Sequence, residues 1–315
     1  MKNRREYLFL YDVTYANPNG DPNDENKPRI DEESGRNIVT DVRLKRTVRD
    51  YLHEYENQEI FVREIEDENG YIQDAKTRAK DFLKDESIAN MSFQEQKELI
   101  KNKILTSCID VRLFGATIPL ELVVGGKKKQ SSITLTGAVQ FNMGESLHRV
   151  KLEFIKGTGA FASDSKKEQK TFREEWILPY ALIAFHGVAN EQAAKYTNLQ
   201  DDDLEALKRA LWYGTKNLIT RSKFGQMPRL LLEVVYKEGT LSHIGDLQRF
   251  VSIKSTLEDE AIRTVADYEL ETENLLEMLN KKADIIKEVN YFVDEALRLT
   301  KPLTSEKVPF KKMEL

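Results

Sequence analysis

The stretch that decides the fold is REYLFLYDVTYANPNGDPNDENKPRIDEESGRNIVTDVRLKRTVRDYLHEY, residues 5–55. Residues 5–15 alternate and are rich in aromatic side chains, which predicts a β-strand. About twenty residues dense in Asn, Pro, Gly and Asp follow, and because these residue types favour turns we expect a long loop. A helix is predicted to begin after Thr40, a suitable N-cap. Its apolar stripe has helical spacing and consists of Leu44, Val48, Tyr51, Leu52 and Tyr55.

The composition is that of a folded protein with an acidic total charge. The 315 residues are 40% hydrophobic and 32% charged, which excludes wholesale disorder. Lys and Arg number 48 against 53 Asp and Glu, a net charge of −5, so a site for a polyanion must be a local concentration of cations. The single cysteine, Cys108, permits no internal disulfide, and no apolar stretch reaches the roughly 20 residues that span a bilayer. We therefore expect a cytoplasmic protein.

The remaining segments complete an α+β pattern. The pattern of residues 60–130 predicts an inserted, largely helical lobe that ends in a mobile loop, Gly125–Lys129. Strands are predicted at 132–141, 149–155, 176–189 and 228–239, and a helix at 201–215. The resulting βαββαβ order is that of the ferredoxin-like or RNA-recognition-motif (RRM) fold. A further amphipathic helix is predicted at 283–299.

Cations concentrate in two places. Arg43, Lys45, Arg46 and Arg49 lie outside the apolar stripe of the first helix and share the remaining arc. A second patch, Arg221-Ser222-Lys223, precedes the last core strand. Arg binds phosphate bidentately, Lys adds charge, and Asn side chains and loop amides donate hydrogen bonds to phosphate or ribose. The pattern predicts a nucleic-acid interface; the alternative is an ordinary solvated helix face.

Catalytic alternatives rest on weaker patterns. Asp21, Asp24 and Asp31 lie in turn-rich sequence, whereas a two-metal site needs carboxylates on rigid elements. His53, on the basic helix, is the best-placed general base for a metal-independent ribonuclease. The motif at 157–162 matches G-x-G-x-x-A but lacks the helix that a dinucleotide site requires. We predict no metal and no cofactor, and keep an endoribonuclease and a stand-alone sequence-specific RNA binder as alternatives.

Five motifs carry a family resemblance. They are YDVTYANPNGDPNDENKPRID (11–31), TDVRLKRTVRDYL (40–52), DVRLFGA (110–116), ITLTGAVQF (133–141) and TRSKFGQMPRLLLEV (220–234). With them the chain, over about residues 5–238, closely resembles the repeating backbone subunit of the type I CRISPR Cascade complex. The form found in subtype I-B is the nearest match, with subtype I-C its close relative.

The resemblance implies a protein shaped like a right hand. The RRM-like palm would comprise 1–59 and 131–238, the fingers lobe 60–130, and a hairpin thumb 156–172, with 239–315 as a C-terminal extension. Such subunits do not cleave nucleic acid. They polymerise head to tail along CRISPR RNA, hold its backbone regardless of sequence, and leave bases free to pair with target DNA. The other partners would be the large, small and guide-end capping subunits of Cascade.

The motif match also ranks the residues that would contact RNA. Lys45, Arg46 and Arg49 come first as phosphate contacts, and Arg43 follows. Asn17 and Asn19 in the turn-rich loop, and Arg221 and Lys223 before the last core strand, come next. In this family sequence specificity would come from base pairing, while the protein holds the backbone.

Overall fold

The computed structural model describes residues 1–66, 69–84, 91–162 and 170–315, with the backbone alone for 158–162 and 170–173. The strands are β1 (Arg5–Ala16), β2 (Gly20–Asp21), β3 (Lys27–Pro28), β4 (Arg36–Val39), β5 (Gly115–Val124), β6 (Lys127–Thr136), β7 (Val139–Phe141), β8 (Gly144–Arg149), β9 (Glu153–Ala162), β10 (Lys170–Ala189), β11 (Gln226–Tyr236), β12 (Ser252–Lys254), β13 (Glu269–Glu271), β14 (Ile286–Val293) and β15 (Phe310–Lys312). The α-helices are α1 (Asp41–Glu54), α2 (Ala75–Asp81), α3 (Phe93–Ser107), α4 (Ile109–Phe114), α5 (Glu191–Thr197), α6 (Asp201–Arg209) and α7 (Glu273–Lys281). A π-helical turn, Ala210–Gly214, continues α6. Among these helices, none is long and apolar enough to cross a membrane.

A central sheet organises the chain into a mixed α+β fold. Its strands run in the order β15-β14-β11-β1-β10-β8-β4, and β7 and β9 also pair with β10. The first strand, β1, lies between β10 and β11 and is antiparallel to both. At one edge, β14 and β15 pair in parallel.

Strand β1 is buried on both faces of the sheet. Side chains alternate across a strand, so odd and even positions face opposite sides. Tyr7 and Phe9 pack in one apolar cluster together with α1 and α6, whereas Leu8 and Leu10 pack in another with residues of the C-terminal segment. The C-terminal segment therefore supplies the cover for the second face of the sheet.

Helix α1 forms where the sequence predicts it. The Thr40 hydroxyl accepts a hydrogen bond from the Arg43 amide at 3.3 Å, and Leu44, Val48 and Leu52 are buried against the sheet. Of its cations, Arg46 is exposed, whereas Arg43, Lys45 and Arg49 are half-buried.

The inserted segment has its own apolar cluster. It is built from α2, α3, α4 and the β5–β6 hairpin, with Ile100, Ile104, Ile118 and Leu120 at its centre. Gly125 and Gly126 form the hairpin turn with φ of 58° and 78°, whereas Lys127–Lys129 lie within β6. The predicted loop at Gly125–Lys129 is therefore wrong in its second half, because each of these lysines pairs across the hairpin with β5.

Two predicted strands are divided in the structure. Residues 132–141 contribute to both β6 and β7, and Gly137, between them, passes so close to Phe114 that a Cβ there would lie 2.0 Å from its carbonyl carbon. Residues 149–155 end β8 and begin β9, and between them the Val150 amide donates to the Gly35 carbonyl at 2.9 Å. Strand β9 then pairs antiparallel with β10, and residues 163–169 between the two strands in sequence lie outside the described residues.

The predicted amphipathic helix at 283–299 is wrong. Residues Ile286–Val293 form β14, which pairs with β11. Ile286, Val289 and Val293 fit helical spacing, but β-branched side chains favour strands, and the open edge of β11 offers backbone partners that periodicity does not reveal. The helix of this region is α7, which precedes the strand.

Candidate nucleic-acid interface

Two cations of α1 pair with carboxylates of the same helix. Lys45 Nζ donates to Asp41 Oδ2 at 2.8 Å, and Arg46 Nε donates to Asp50 Oδ1 at 2.7 Å. Both pairs have the i,i+4 spacing that brings side chains together on a helix surface. Each cation would have to share or exchange its carboxylate to contact a phosphate.

Arg49 has a more deeply buried carboxylate partner than Lys45 and Arg46 have. Its Nε donates to Oδ2 of Asp110 at 3.1 Å, and the Asp110 side chain is fully buried. The guanidinium also lies 5.4 Å from the centre of the Phe114 ring. Arg49 therefore joins α1 to α4, so the three cations ranked first from the sequence all have acidic partners.

Arg43 differs from the other cations of α1. Its Nη2 donates to the Thr47 hydroxyl at 3.1 Å, and within the described part of the chain no carboxylate lies within 4 Å of it. Burial lowers the pKa of Arg43. This guanidinium retains a positive charge in a half-buried position without an ion-pair partner at contact distance.

Residues 219–225, which we call the basic segment, are hydrogen-bonded to the end of β1. The Thr14 amide donates to the Gly225 carbonyl and the Asn17 amide to the Ser222 carbonyl, both at 3.0 Å. Lys223 Nζ in turn donates to the Asn17 carbonyl at 2.6 Å. These contacts bring Lys223 beside the turn-rich loop, as expected if the two basic clusters form one surface.

The positive charge of Arg43 acts on Lys223 although 180 positions separate the two residues in sequence. Burial, and secondarily the positive charge of Arg43, lowers the pKa of Lys223 to about 8. Two half-buried cations, neither with a carboxylate within 4 Å among the described residues, form a site suited to an anion. We call Arg43 and Lys223 the cation pair.

The two loop asparagines have structural contacts. Asn17 Nδ2 donates to the Asn26 carbonyl at 2.7 Å, while its Oδ1 is buried without a partner in the described structure. Asn19 Oδ1 accepts from both the amide and the hydroxyl of Thr40 at 2.8 Å. Asn19 therefore ties the turn-rich loop to the N-terminus of α1.

Arg221 lies at the exposed side of the basic segment. Its guanidinium is 59% exposed and pairs with Glu175 of β10. It lines both a small cavity of about 170 Å³, which also contains Asn17 and Trp176, and an open depression of about 630 Å³.

The aromatic residues around this surface were missed from the sequence. Tyr15 is 55% exposed and Phe224 is 69% exposed, and both line the 630 Å³ depression. Trp176 lies 5.2 Å from Lys27 Nζ of the turn-rich loop. The signal that could have found Phe224 is an aromatic residue placed between a lysine and a glycine in an otherwise polar segment, Arg221-Ser222-Lys223-Phe224-Gly225.

The residues of the ribonuclease alternative are dispersed. His53 Nδ1 lies 3.2 Å from the Gln58 carbonyl, and the Asp31 carboxylate accepts hydrogen bonds from Ser34. Asp21 pairs with Arg29, at 3.4 Å. Across residues 1–66, 69–84, 91–162 and 170–315, no group of three His, Cys, Asp or Glu side chains is arranged to hold a metal ion. The motif at 157–162 lies in β9, and the residues that follow it, 163–169, lie outside the described residues.

Three comparisons relate the chain to known proteins. The family model described as CRISPR-associated protein Cas7 matches residues 3–273, which extends beyond the region of resemblance found in the sequence motifs. A relative named CRISPR-associated protein Cas7, from Haloferax volcanii, is 32% identical over 311 residues, covering 94% of this chain and 88% of that protein. A chain from a solved structure titled "CRISPR RNA-guided surveillance complex, pre-nicking" is similar in fold, with a TM-score of 0.55 and 11% identity over 99% of this chain and 96% of that one.

The family model covers most of the chain, and the archaeal relative is similar along nearly its whole length. The fold similarity at low sequence identity agrees with both, since folds persist after sequences diverge. The chain therefore belongs to the Cas7 family of CRISPR-associated proteins.

Proposed function

We propose that the chain is a non-catalytic subunit that polymerises along CRISPR RNA and forms the backbone of a type I Cascade complex of subtype I-B. It holds the phosphate backbone irrespective of sequence and presents the bases to target DNA. Membership of the Cas7 family supports this function over an endoribonuclease. A cytoplasmic location, and contacts with large, small and guide-end capping subunits, are parts of the same proposal.

The observation that carries the proposal is the cation pair. Arg43 and Lys223 are both half-buried, neither has a carboxylate within 4 Å among the described residues, and the charge of Arg43 acts on Lys223. A phosphate between them would neutralise charge that has no ion-pair partner at contact distance in the folded protein, and charge-assisted hydrogen bonds to phosphate are among the strongest available. A contact of this kind reads no base and is therefore independent of sequence.

The cations that have a carboxylate partner are proposed as secondary contacts with the RNA phosphates. Arg46 is 56% exposed, and an exposed helix pair of this kind contributes only about 0.3–0.5 kcal/mol, so exchanging Asp50 for a phosphate costs little. Arg221, 59% exposed, is in a similar position, whereas the Lys45 side chain is only 13% exposed and also donates to Gln140 Oε1 at 3.3 Å. Arg49 has a fully buried partner and is the least able to exchange.

We further propose the domain division palm, fingers and thumb. An RRM-like palm is supported by the antiparallel neighbours β11-β1-β10-β8, with α1 following β1 and α6 preceding β11. The separate apolar cluster of the inserted segment supports a fingers lobe over 60–130. The antiparallel pairing of β9 with β10 supports a thumb that includes 156–172, part of which lies outside the described residues.

The test is RNA binding by paired variants. Arg43→Ala and Lys223→Ala should each weaken binding by roughly 10- to 100-fold, the value of a charge-assisted hydrogen bond, and by the same factor for RNAs of unrelated sequence. Each should also flatten the slope of the salt dependence by about 0.7 for every phosphate that the variant no longer binds. Lys254→Ala, an exposed lysine of β12, is the matched control.

Electron micrographs of the wild type with CRISPR RNA complete the test. Subunits should stack along the RNA in a number proportional to its length, because head-to-tail contacts are open unless capped. A loss of affinity confined to particular RNA sequences, or loading of one copy whatever the RNA length, would contradict the proposal.

A further inference from the structure

Two aromatic side chains stand exposed where the basic segment meets the end of β1. The hydrogen bonds from Thr14 to Gly225 and from Asn17 to Ser222 continue the β1–β11 pairing, in which Val13 lies opposite Gln226. Beyond this point the chain forms a turn, in which the Phe224 amide donates to the Thr220 carbonyl at 2.8 Å. Both side chains line one open depression of about 630 Å³.

The backbone on both sides of this depression is held in an unusual conformation. Tyr15 has φ of 48°, a left-handed conformation that a bulky residue rarely adopts. Gly225 has φ of 107°, and a Cβ there would lie 2.4 Å from the Thr14 carbonyl oxygen. Such conformations persist only where surrounding contacts enforce them, and they concentrate at binding sites.

The charges beside the aromatic residues indicate the chemistry of the occupant. Arg221, whose side chain is 59% exposed, lines the same depression, and Lys223 precedes Phe224 in the chain. An exposed apolar surface bordered by an arginine suits a ligand that carries both a flat π-face and a negative charge. A nucleotide within a single strand has both, because its base stacks on aromatic rings while its phosphate binds cations.

We propose that Tyr15 and Phe224 form a platform on which one nucleobase of the bound RNA stacks, while Arg221 and Lys223 of the basic segment attract its phosphate. The inference rests on the proposed function and adds a contact with a base to it. Every base has a π-face, so the platform keeps the interaction independent of sequence. Each subunit would fix the orientation of one base as well as the path of the backbone.

The test compares RNA with and without bases. A labelled single-stranded oligoribonucleotide and an oligomer of the same length with abasic riboses are titrated by fluorescence anisotropy. Phe224→Ala and Tyr15→Ala should each lose roughly 5- to 150-fold in affinity for the base-bearing RNA, the value of one stacked base, and nothing for the abasic RNA. Phe224→Tyr keeps the ring and should restore the affinity, and Tyr196→Ala, another highly exposed tyrosine, is the control.

Outcomes other than these would contradict the inference, and the measurements distinguish one from another. Equal losses for both RNAs would mean that the aromatic residues act through the fold and not through a base. A change in self-association of Phe224→Ala without RNA, measured by light scattering, would assign the depression to a second copy of the chain. Failure of the proposed function looks different, because the wild type would then bind neither oligomer with a salt-dependent affinity.

Discussion

Arg49 and Asp110 form an ion pair across 61 positions of sequence, with Nε of Arg49 donating to Oδ2 of Asp110 at 3.1 Å. The Asp110 carboxylate also accepts hydrogen bonds from the amides of Phe61, at 2.8 Å, and Val62, at 3.1 Å. One buried carboxylate thus connects α1, α4 and the start of the inserted segment. With this geometry Arg49 stabilises the fold, which makes it a weaker candidate for binding RNA.

Arg49→Ala should therefore destabilise the fold. Removing one partner of a buried pair leaves Asp110 with uncompensated charge, and we expect a loss of about 3 kcal/mol in the free energy of unfolding. Arg46→Ala breaks an exposed pair on the same helix and should change that free energy by no more than about 0.5 kcal/mol. Denaturant unfolding of both variants checks the difference, and equal small effects would mean that Arg49 is as available to RNA as Arg46.

RNA affinity should fall as the pH rises through about 8. Burial and the charge of Arg43 lower the pKa of Lys223 to about 8, so the free protein loses this positive charge above that pH, whereas a bound phosphate favours the protonated form. The affinity should decrease by at most tenfold per pH unit, because one proton is linked to binding. Of the neighbouring groups, Arg43 stays charged, and burial raises the pKa of Tyr11 above this range.

The variant Lys223→Arg tests whether the proton linked to RNA binding is the one on Lys223. Arginine stays protonated at every pH used, so the variant should bind RNA with an affinity that is flat between about pH 7 and 9.5. RNA-binding titrations at constant ionic strength and varied pH measure this affinity. An unchanged pH profile in Lys223→Arg would show that another group is responsible.

Gly225→Ala should loosen the basic segment from β1. The alanine Cβ would meet the Thr14 carbonyl oxygen and would also disfavour a φ of 107°, so we expect a loss of about 2 kcal/mol in stability together with weaker RNA binding. Gly239→Ala is the matched control, since its φ is also positive, at 79°, but nothing lies within 4 Å of the new atom. If the two variants behave alike, the close approach to Thr14 is not what holds the segment.

Asn19→Ala should act on α1. The variant removes the acceptor for both the amide and the hydroxyl of Thr40, and we expect a loss of about 1–2 kcal/mol in the free energy of unfolding. Asn19→Asp keeps the acceptor and adds a negative charge near a helix N-terminus, so it should retain stability. A loss of RNA affinity in Asn19→Ala without any loss of stability would instead support the direct RNA contact predicted from the sequence.

Local patterns were sufficient for the elements whose partners are near in sequence. The alternation in β1 and the Thr40 cap of α1 each report a local preference, and the structure has both elements there. The pairs Lys45–Asp41 and Arg46–Asp50 have a spacing that is visible in the sequence and could have lowered the rank of these cations. The strand β14 was mistaken for a helix because its apolar spacing fits both, and only its pairing with β11 decides between them.

The sequence by itself determined the family, the first strand and helix, and the presence of two basic clusters. Only the tertiary structure decided which cations have no acidic partner at contact distance, because neutralisation depends on distances of a few ångströms between residues far apart in the chain. Asp110 pairs with Arg49, whereas the hydrogen bonds between residues 219–225 and β1 hold Lys223 where the charge of Arg43 acts on it, with no carboxylate of the described residues within 4 Å of either.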